Sequence, residues 1–194
     1  MKVAIVKYNA GNILSVINAL KRLGVEPDLT DNPERLATAD RVIFPGQGEA
    51  SSAMRYLKAR SLDRVIPGLR QPVLGICIGL QLMCSYSEEN DTPCLGIFAE
   101  RVLRFEPKLK VPHVGWNVIN DLKGTLFEGL PETPHMYFLH SYYAEKGPFT
   151  TATTDYILPF SAALQKDNFY AVQFHPEKSA VDGEVILRNF LAVG

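Results

Sequence analysis

The segment Pro72-Val-Leu-Gly-Ile-Cys-Ile-Gly-Leu-Gln-Leu82 constrains the fold more than any other. Val73, Leu74 and Ile76 form a short apolar run, as a buried strand requires. Gly75 and Gly79 stand two residues before and two after Cys77, and Leu80, Leu82 and Met83 continue in residues that favour helix. A strand that turns sharply into a helix forces strained backbone angles on the corner residue. Side chains two positions to either side would collide across the bend, so both must be minimal. The pattern is that of a nucleophile elbow with sulfur in place of the serine oxygen. At the N-terminus of the following helix, the backbone N–H groups and the helix dipole favour a thiolate. The same residues would also suit a plain core cysteine in a glycine-containing strand, since free cysteine is often simply buried.

The rest of the chain reads as strands alternating with helices up to this elbow. Val3 to Val6 is a first strand, followed by a tight loop at Tyr8-Asn9-Ala10-Gly11-Asn12. Asn12 is placed to cap a helix in which Ile13, Val16, Ile17 and Leu20 recur at helical spacing, and Gly24 to end it. A short strand near Pro27–Thr30, a helical turn after Pro33, a strand at Arg41–Phe44 and a helix from Ala50 to Lys58 follow, with another short helix within Leu62–Leu69. This order predicts an α/β, doubly wound, mostly parallel central sheet with flanking helices. In such sheets ligands bind at the carboxyl ends of the strands, and the loops at 8–12, 45–48 and 77 all fall on that edge.

Past Ser87 the character changes. Val102–Phe105, Gly115–Ile119, Met136–Leu139, Thr150–Thr154, Ala162–Gln165 and Tyr170–Phe174 read as strands, the last two joined by a hairpin turn at Lys166-Asp167-Asn168. They predict a mixed or antiparallel extension in the C-terminal half. A closing helix spans about Asp182 to Leu191, with Asp182 as its cap and Ile186, Leu187, Phe190 and Leu191 facing inward. No linker is rich enough in Pro, Gly or Ser to divide the chain, so residues 1–194 are expected to form one domain.

Composition narrows the function classes. A formal net charge of −1 gives no electrostatic case for nucleic acid or an anionic membrane. Three cysteines, at 77, 84 and 94, lack paired spacing, so neither a disulfide framework nor a zinc site is indicated. No stretch approaches ~20 apolar residues, and the N-terminus lacks the apolar core and cleavage site of a signal peptide. A reducing cytoplasm is the expected location.

A nucleophilic Cys77 needs a base, and the candidates are His113, His135, His140 and His175. His175 follows an apolar strand directly, in Val172-Gln-Phe-His-Pro-Glu177, with Pro176 stopping that strand. Glu177, two residues on, can hold one imidazole nitrogen and leave the other for the thiol, giving a triad in the order Cys, His, Glu. Read alone, that stretch is equally a surface turn with a chance histidine; the elbow upstream favours the functional reading. Attack on an amide carbonyl creates an oxyanion. The Ile78 N–H is one donor, and the loop Gly46-Gln47-Gly48 is the best source of a second. Gln81, four residues after Cys77, can face the elbow one helical turn down.

Gly75-Ile-Cys-Ile-Gly-Leu-Gln81 together with Phe174-His-Pro-Glu177 resembles the class I glutamine amidotransferases, across nearly the whole chain. Tyr8-Asn-Ala-Gly-Asn12, Pro112-His-Val-Gly-Trp-Asn117 and Tyr137-Phe-Leu-His-Ser-Tyr-Tyr143 look like the branch that serves as glutaminase subunits of imidazole glycerol phosphate synthases. The resemblance implies that Cys77 attacks the side-chain amide of L-glutamine, that His175 protonates the departing ammonia, and that water releases glutamate from a thioester. It implies no cofactor and no metal. The ammonia would pass to a cyclase subunit, a (β/α)8 barrel, in a heterodimer. By position, Gln81, Glu89, Gly48 and the His140-Ser141-Tyr142 backbone would bind glutamine, and Asn12, Trp116 and Tyr137 would dock the cyclase. Trp116 and Tyr137 also read as core aromatics. Gln47 departs from the family pattern, which carries a smaller or apolar residue there, and leaves the resting shape of its loop open. Cys84 and Cys94 match no role and read as structural. Three other readings remain: an amidotransferase subunit serving pyridoxal phosphate, anthranilate or guanylate synthesis, a non-catalytic protein on the same fold, and a free-standing cysteine hydrolase acting on γ-glutamyl substrates.

Overall fold

The computed structural model describes residues 1–9 and 11–194; Ala10, inside the Tyr8–Asn12 loop, lies outside the described residues. Chain order begins β1 (Val3–Val6), α1 (Ile13–Arg22), β2 (Asp28–Thr30), α2 (Pro33–Ala37), β3 (Arg41–Phe44), α3 (Ala50–Ala59), α4 (Leu62–Val65), β4 (Val73–Ile76) and α5 (Ile78–Met83). The first four strands are all parallel, in the order β2-β1-β3-β4. The apolar runs are continuous because both faces of this sheet are covered. Ala4, Val6, Val42 and Phe44 pack with Leu36, Met54, Leu57, Leu62 and Leu80 of α2 to α5. Val3, Ile5, Ile43, Leu74 and Ile76 pack on the opposite face with Val16 and Leu20 of α1.

Helix boundaries follow local chemistry. In α1 the apolar positions 13, 16, 17 and 20 form one stripe. Gly24 takes a left-handed φ of 76°, and its N–H returns to Lys21 O at 3.0 Å while Val25 N–H returns to Leu20 O at 3.0 Å. At the other end Asn12 occupies the cap position but is itself left-handed, and its side chain makes no capping bond. Its Oδ1 accepts instead from Ser15 Oγ at 2.6 Å. The expected cap is therefore corrected: the position holds, the hydrogen bond does not.

The second half contributes β5 (Tyr86–Ser87), β6 (Thr92–Pro93), β7 (Arg101–Arg104), β8 (His113–Val118), β9 (His135–His140), β10 (Tyr142–Ala144), β11 (Thr150–Tyr156), β12 (Leu158–Lys166), β13 (Phe169–Val172) and α6 (Ala180–Ala192). β13 lies parallel beside β4, with Ala171 opposite Gly75 and Val172 opposite Ile76. β12 and β10 continue the sheet in antiparallel sense, and β11 pairs with β12. A two-residue turn at Asp167-Asn168 closes the β12–β13 hairpin, with Asp167 at φ 51°, a conformation Asp tolerates. β8 and β9 form a separate two-stranded sheet. Ile186, Leu187 and Phe190 of α6 join the core on the α1 side. Asp182 does not cap α6; Ser179 holds that position, and the Asp182 carboxylate accepts from His135 N–H at 3.0 Å.

Candidate active site

β1, β3 and β4 run in the same direction, so the loops after them meet at one sheet edge. Cys77 sits at the end of β4, with φ 52° and ψ −106°, an orientation that only a constrained corner imposes. Its N–H donates to Val172 O at 2.8 Å, which ties the corner to the neighbouring strand. The flanking glycines behave as the elbow requires. A Cβ on Gly75 would lie 2.9 Å from the Gly79 carbonyl carbon. A Cβ on Gly79 would strike the Phe44 carbonyl oxygen, so this glycine also clears the adjacent strand.

The pairing of β13 with β4 brings His175 to the same edge as Cys77. The His175 and Glu177 side chains are 1% and 2% exposed, and Nδ1 lies 2.8 Å from Glu177 Oε1. Nδ1 therefore carries a proton, and Nε2 has no hydrogen-bond partner among the described residues. Burial of the ring opposes its protonation, but the charges of Cys77 and Glu177 outweigh this and push the imidazole up to about 10. The Cys77 thiol lies 3.7 Å from Leu139 O and receives the Gln173 amide nitrogen at 3.6 Å.

Beside the sulfur is a cavity of about 320 Å³, lined by Cys77, Ile78, Gln81, Glu89, Gln47, Gly48 and His140-Ser141-Tyr142. Pro112 and Leu139 complete the wall. Ile78 opens α5, so its N–H has no acceptor within the helix. Gln47 is drawn onto the 8–12 loop, its carbonyl accepting from Gly11 N–H at 2.6 Å. Gly46 lies beneath the wall, where a Cβ would strike the Tyr8 hydroxyl and Ile78 Cγ2. The Tyr8 hydroxyl donates to Pro45 O and so pins the start of this loop. Glu89 accepts from Ala50 N–H at 2.7 Å, and burial, partly offset by this bond, raises its carboxyl above the ordinary range.

Behind the 140–142 turn stand two buried histidines. His140 Nδ1 faces Tyr142 O at 2.8 Å and its Nε2 faces His113 Nδ1 at 3.1 Å. A carbonyl only accepts, so His140 donates from Nδ1 and receives the His113 proton at Nε2. Burial depresses both rings, His113 to about 4 and His140 to about 3, so the pair is neutral. At the other two cysteines burial drives the Cys84 thiol well up and the Cys94 thiol to about 12.

The expected docking residues lie apart from the cavity's polar floor. Trp116 is 53% exposed and Tyr137 half-buried, which removes the core reading for Trp116. They face each other across β8 and β9, with ring centroids 6.1 Å apart. Tyr137 O accepts from His175 N–H at 2.8 Å, so this hairpin reaches His175 directly. Asn12, at the start of α1, has a buried Nδ2 without a partner among the described residues.

Sequence reasoning gave no role to Tyr8, Leu139 or Gln173, and named His113 only as a candidate base for Cys77, whereas the structure pairs it with His140. Gln173 carried a signal: it is the one polar residue in the run Ala171-Val-Gln-Phe174, and a buried amide must find partners.

Comparison with known proteins agrees with this geometry. A family model, glutamine amidotransferase class-I, matches residues 4–193. The chain is 60% identical to the imidazole glycerol phosphate synthase subunit HisH of Bacteroides fragilis, over 98% of this chain and 99% of that protein. It is 44% identical to the HisH subunit of Nitrosococcus oceani, over 97% and 96%. A crystal structure of a glutamine amidotransferase superposes with a TM-score of 0.74 at 20% identity, covering 97% of each chain, which speaks to the fold alone. A strained cysteine at a strand-to-helix corner, a buried His–Glu pair on the adjoining strand and a family match over nearly every residue converge: the chain belongs to the class-I glutamine amidotransferase family.

Proposed function

We propose that this chain is the glutaminase subunit of imidazole glycerol phosphate synthase, acting as one domain over residues 1–194 in the cytoplasm and as a heterodimer with a (β/α)8-barrel cyclase. The observation that carries the reading is the single cavity shared by Cys77, Gln81, Glu89, Gly48 and His140-Ser141-Tyr142, with the buried His175–Glu177 pair alongside. The 60% identity to a HisH subunit supports the choice of this synthase over others that use ammonia. The outward-facing Trp116 supports a partner.

The chemistry follows from the residues. L-Glutamine enters with its side-chain amide at Cys77, and the Glu89 carboxylate suits the α-ammonium group. Cys77 passes its proton to His175 Nε2 and the sulfur attacks the amide carbon. The oxyanion is met by Ile78 N–H and by backbone from Gly46-Gln47-Gly48. The C–N bond breaks as His175 returns the proton to the leaving nitrogen. Water then attacks the thioester, giving glutamate and the free thiol. Glu177 keeps the imidazole in the tautomer that presents Nε2. Ammonia must stay unprotonated to remain a nucleophile, so it passes to the cyclase through a path closed to bulk water. There it is built into imidazole glycerol phosphate, for histidine synthesis.

The test uses the reconstituted pair. Cys77→Ala abolishes glutamine-dependent synthesis while the cyclase still works with added ammonium salt. Loss of both activities, or glutamine use that survives the substitution, overturns the assignment.

A further inference from the structure

Gln173 is fully buried at the end of β13, two residues before His175. Its backbone N–H is held by Ala162 O at 2.8 Å, so the side chain has a fixed root. A buried amide is costly unless each of its polar atoms finds a partner. Its neighbours decide which way it faces. The Tyr142 carbonyl can only accept, and it takes protons from His140 Nδ1 and from Gln81 Nε2, the latter at 2.9 Å. The same Gln81 nitrogen lies 3.1 Å from one end of the Gln173 amide. That end must be the oxygen, because two amide nitrogens would oppose donor to donor. The Gln173 NH2 is thereby turned to the Cys77 sulfur, 3.6 Å away.

We infer that Gln173 is a catalytic residue of the glutaminase, donating a hydrogen bond to the Cys77 sulfur and holding the thiolate while the proton is on His175. This rests on the reading of Cys77 as nucleophile. The sulfur lies 3.7 Å from Leu139 O, and His175 Nε2, the atom that exchanges the proton with it, has no other hydrogen-bond partner among the described residues. When the proton moves to His175, charge collects on a sulfur that the Gln173 N–H already faces. Charge-assisted bonds of this kind are about twice as strong as neutral ones. As the S–C bond forms the charge leaves sulfur, and when water expels the thiol from the thioester it returns to the same donor. The other groups that face or lie near the sulfur are Tyr8 after β1, His140 of β9 and the His175–Glu177 pair after β13. Burial holds the Tyr8 phenol protonated and the His140 ring neutral, which leaves His175 as the partner that takes the thiol proton. The chain of bonds through Gln81 to Tyr142 O also joins the cavity wall to the sulfur, so a ligand seated there bears on the nucleophile's orientation.

The experiment compares alkylation of Cys77 by iodoacetamide in the full-length chain, the Gln173→Leu variant and the Gln173→Glu variant. Leucine removes both bonds; glutamate keeps the acceptor for Gln81 and replaces the donor by a carboxyl group. Both variants should react roughly 10-fold more slowly at pH 7, and the gap should close as the pH rises and the thiolate forms unaided. Glutamine turnover in the complex should fall at least as far, through kcat. An unchanged alkylation rate in a folded variant would mean a packing role only, and would overturn the inference. The unmutated chain supplies a second reading that needs no variant at residue 173. The side-chain amide NMR signals of Gln173 should move as the sulfur ionises, and stay still in Cys77→Ala. Signals indifferent to the sulfur would also overturn it. Glutamate release that survives Cys77→Ala removes the parent reading instead.

Discussion

Tyr8 illustrates how a single residue shapes the loop after β3, the proposed second side of the oxyanion site. The Tyr8 ring packs on Phe44, 5.3 Å between centroids, and its hydroxyl donates to Pro45 O. Burial, and then the Cys77 charge, hold its pKa well above the usual value, so the phenol stays a donor at any ordinary pH. Tyr8→Phe leaves a buried carbonyl without its partner, a loss of about 1–3 kcal/mol. It also frees the strand that leads to Gly46–Gly48. The expected result is a lower urea midpoint and a several-fold drop in kcat with little change in KM. A kcat equal to that of the unmutated chain would show that Pro45 needs no anchor. The His113–His140 pair carries a different prediction. Both rings are buried and neutral, depressed to about 4 and about 3, whereas an unfolded imidazole titrates near 6.5. Between about pH 6.5 and pH 4 the unfolded chain binds protons that the native chain refuses, so stability falls as pH falls. Each ring adds at most about 1.4 kcal/mol per pH unit to that fall. In His113→Asn an amide N–H can replace the donor to His140 without titrating. Urea midpoints measured from pH 7 to pH 4 should therefore decline less steeply in the variant.

At the scale of elements, the turn from β13 into α6 is the hinge of the site. Ser179 Oγ donates to His175 O at 2.7 Å and accepts from Tyr137 N–H at 2.9 Å, so one hydroxyl joins His175, the β8–β9 hairpin and the head of α6. Gly183 packs against this turn so closely that a Cβ would strike Pro176 O. Ser179→Ala deletes both bonds in a buried position and should cost about 2 kcal/mol or more in a urea titration. Glutaminase activity in the complex should drop with it, since His175 loses its backbone tether. Stability that falls while activity holds would show that the tether serves only the fold. The same region marks where sequence is legible. β1, β3, β4 and α1 follow from apolar spacing and from the glycines that punctuate it, and they lie where the sequence predicts them. β10 does not, because its three residues are strand only by virtue of pairing with β7 and β12. The misread caps have a shared cause: Asn12 and Asp182 spend their side chains on Ser15 and on His135, the second 47 residues distant. In the site, Cys77, His175 and Glu177 stand out because each motif is local. The bonds among His113, His140, Gln81, Gln173 and Cys77 join residues up to 96 apart, and no spacing announces them.

For the whole molecule, the β8–β9 hairpin is the feature that the fold leaves unexplained. Its inner face is buried, with His113, Met136, Phe138 and His140. By period-two alternation its outer face should be polar in a protein that works alone. Instead it carries Val114 and Trp116 on β8 and Tyr137 and Leu139 on β9. Leu139 also lines the cavity beside Cys77, and Tyr137 O holds His175 N–H, so this apolar face runs to the margin of the active site. A face of that kind suits a partner that covers the cavity mouth and takes up what leaves it. Exposed tryptophan is the residue most often found at the energetic centre of an interface. With a net charge of −1 the chain offers little long-range steering, so association should be slow to respond to salt. Trp116→Ala should weaken binding of the proposed cyclase partner by about 30-fold or more, mainly through faster dissociation. Because Trp116 is half exposed in the isolated chain, its removal should leave the thermal midpoint nearly unchanged. Surface-captured complexes measured at two salt concentrations, beside melting curves of the chain alone, separate these effects. Unaltered affinity would move the docking face off this hairpin. A collapsed melting temperature would mean that the indole holds the hairpin itself.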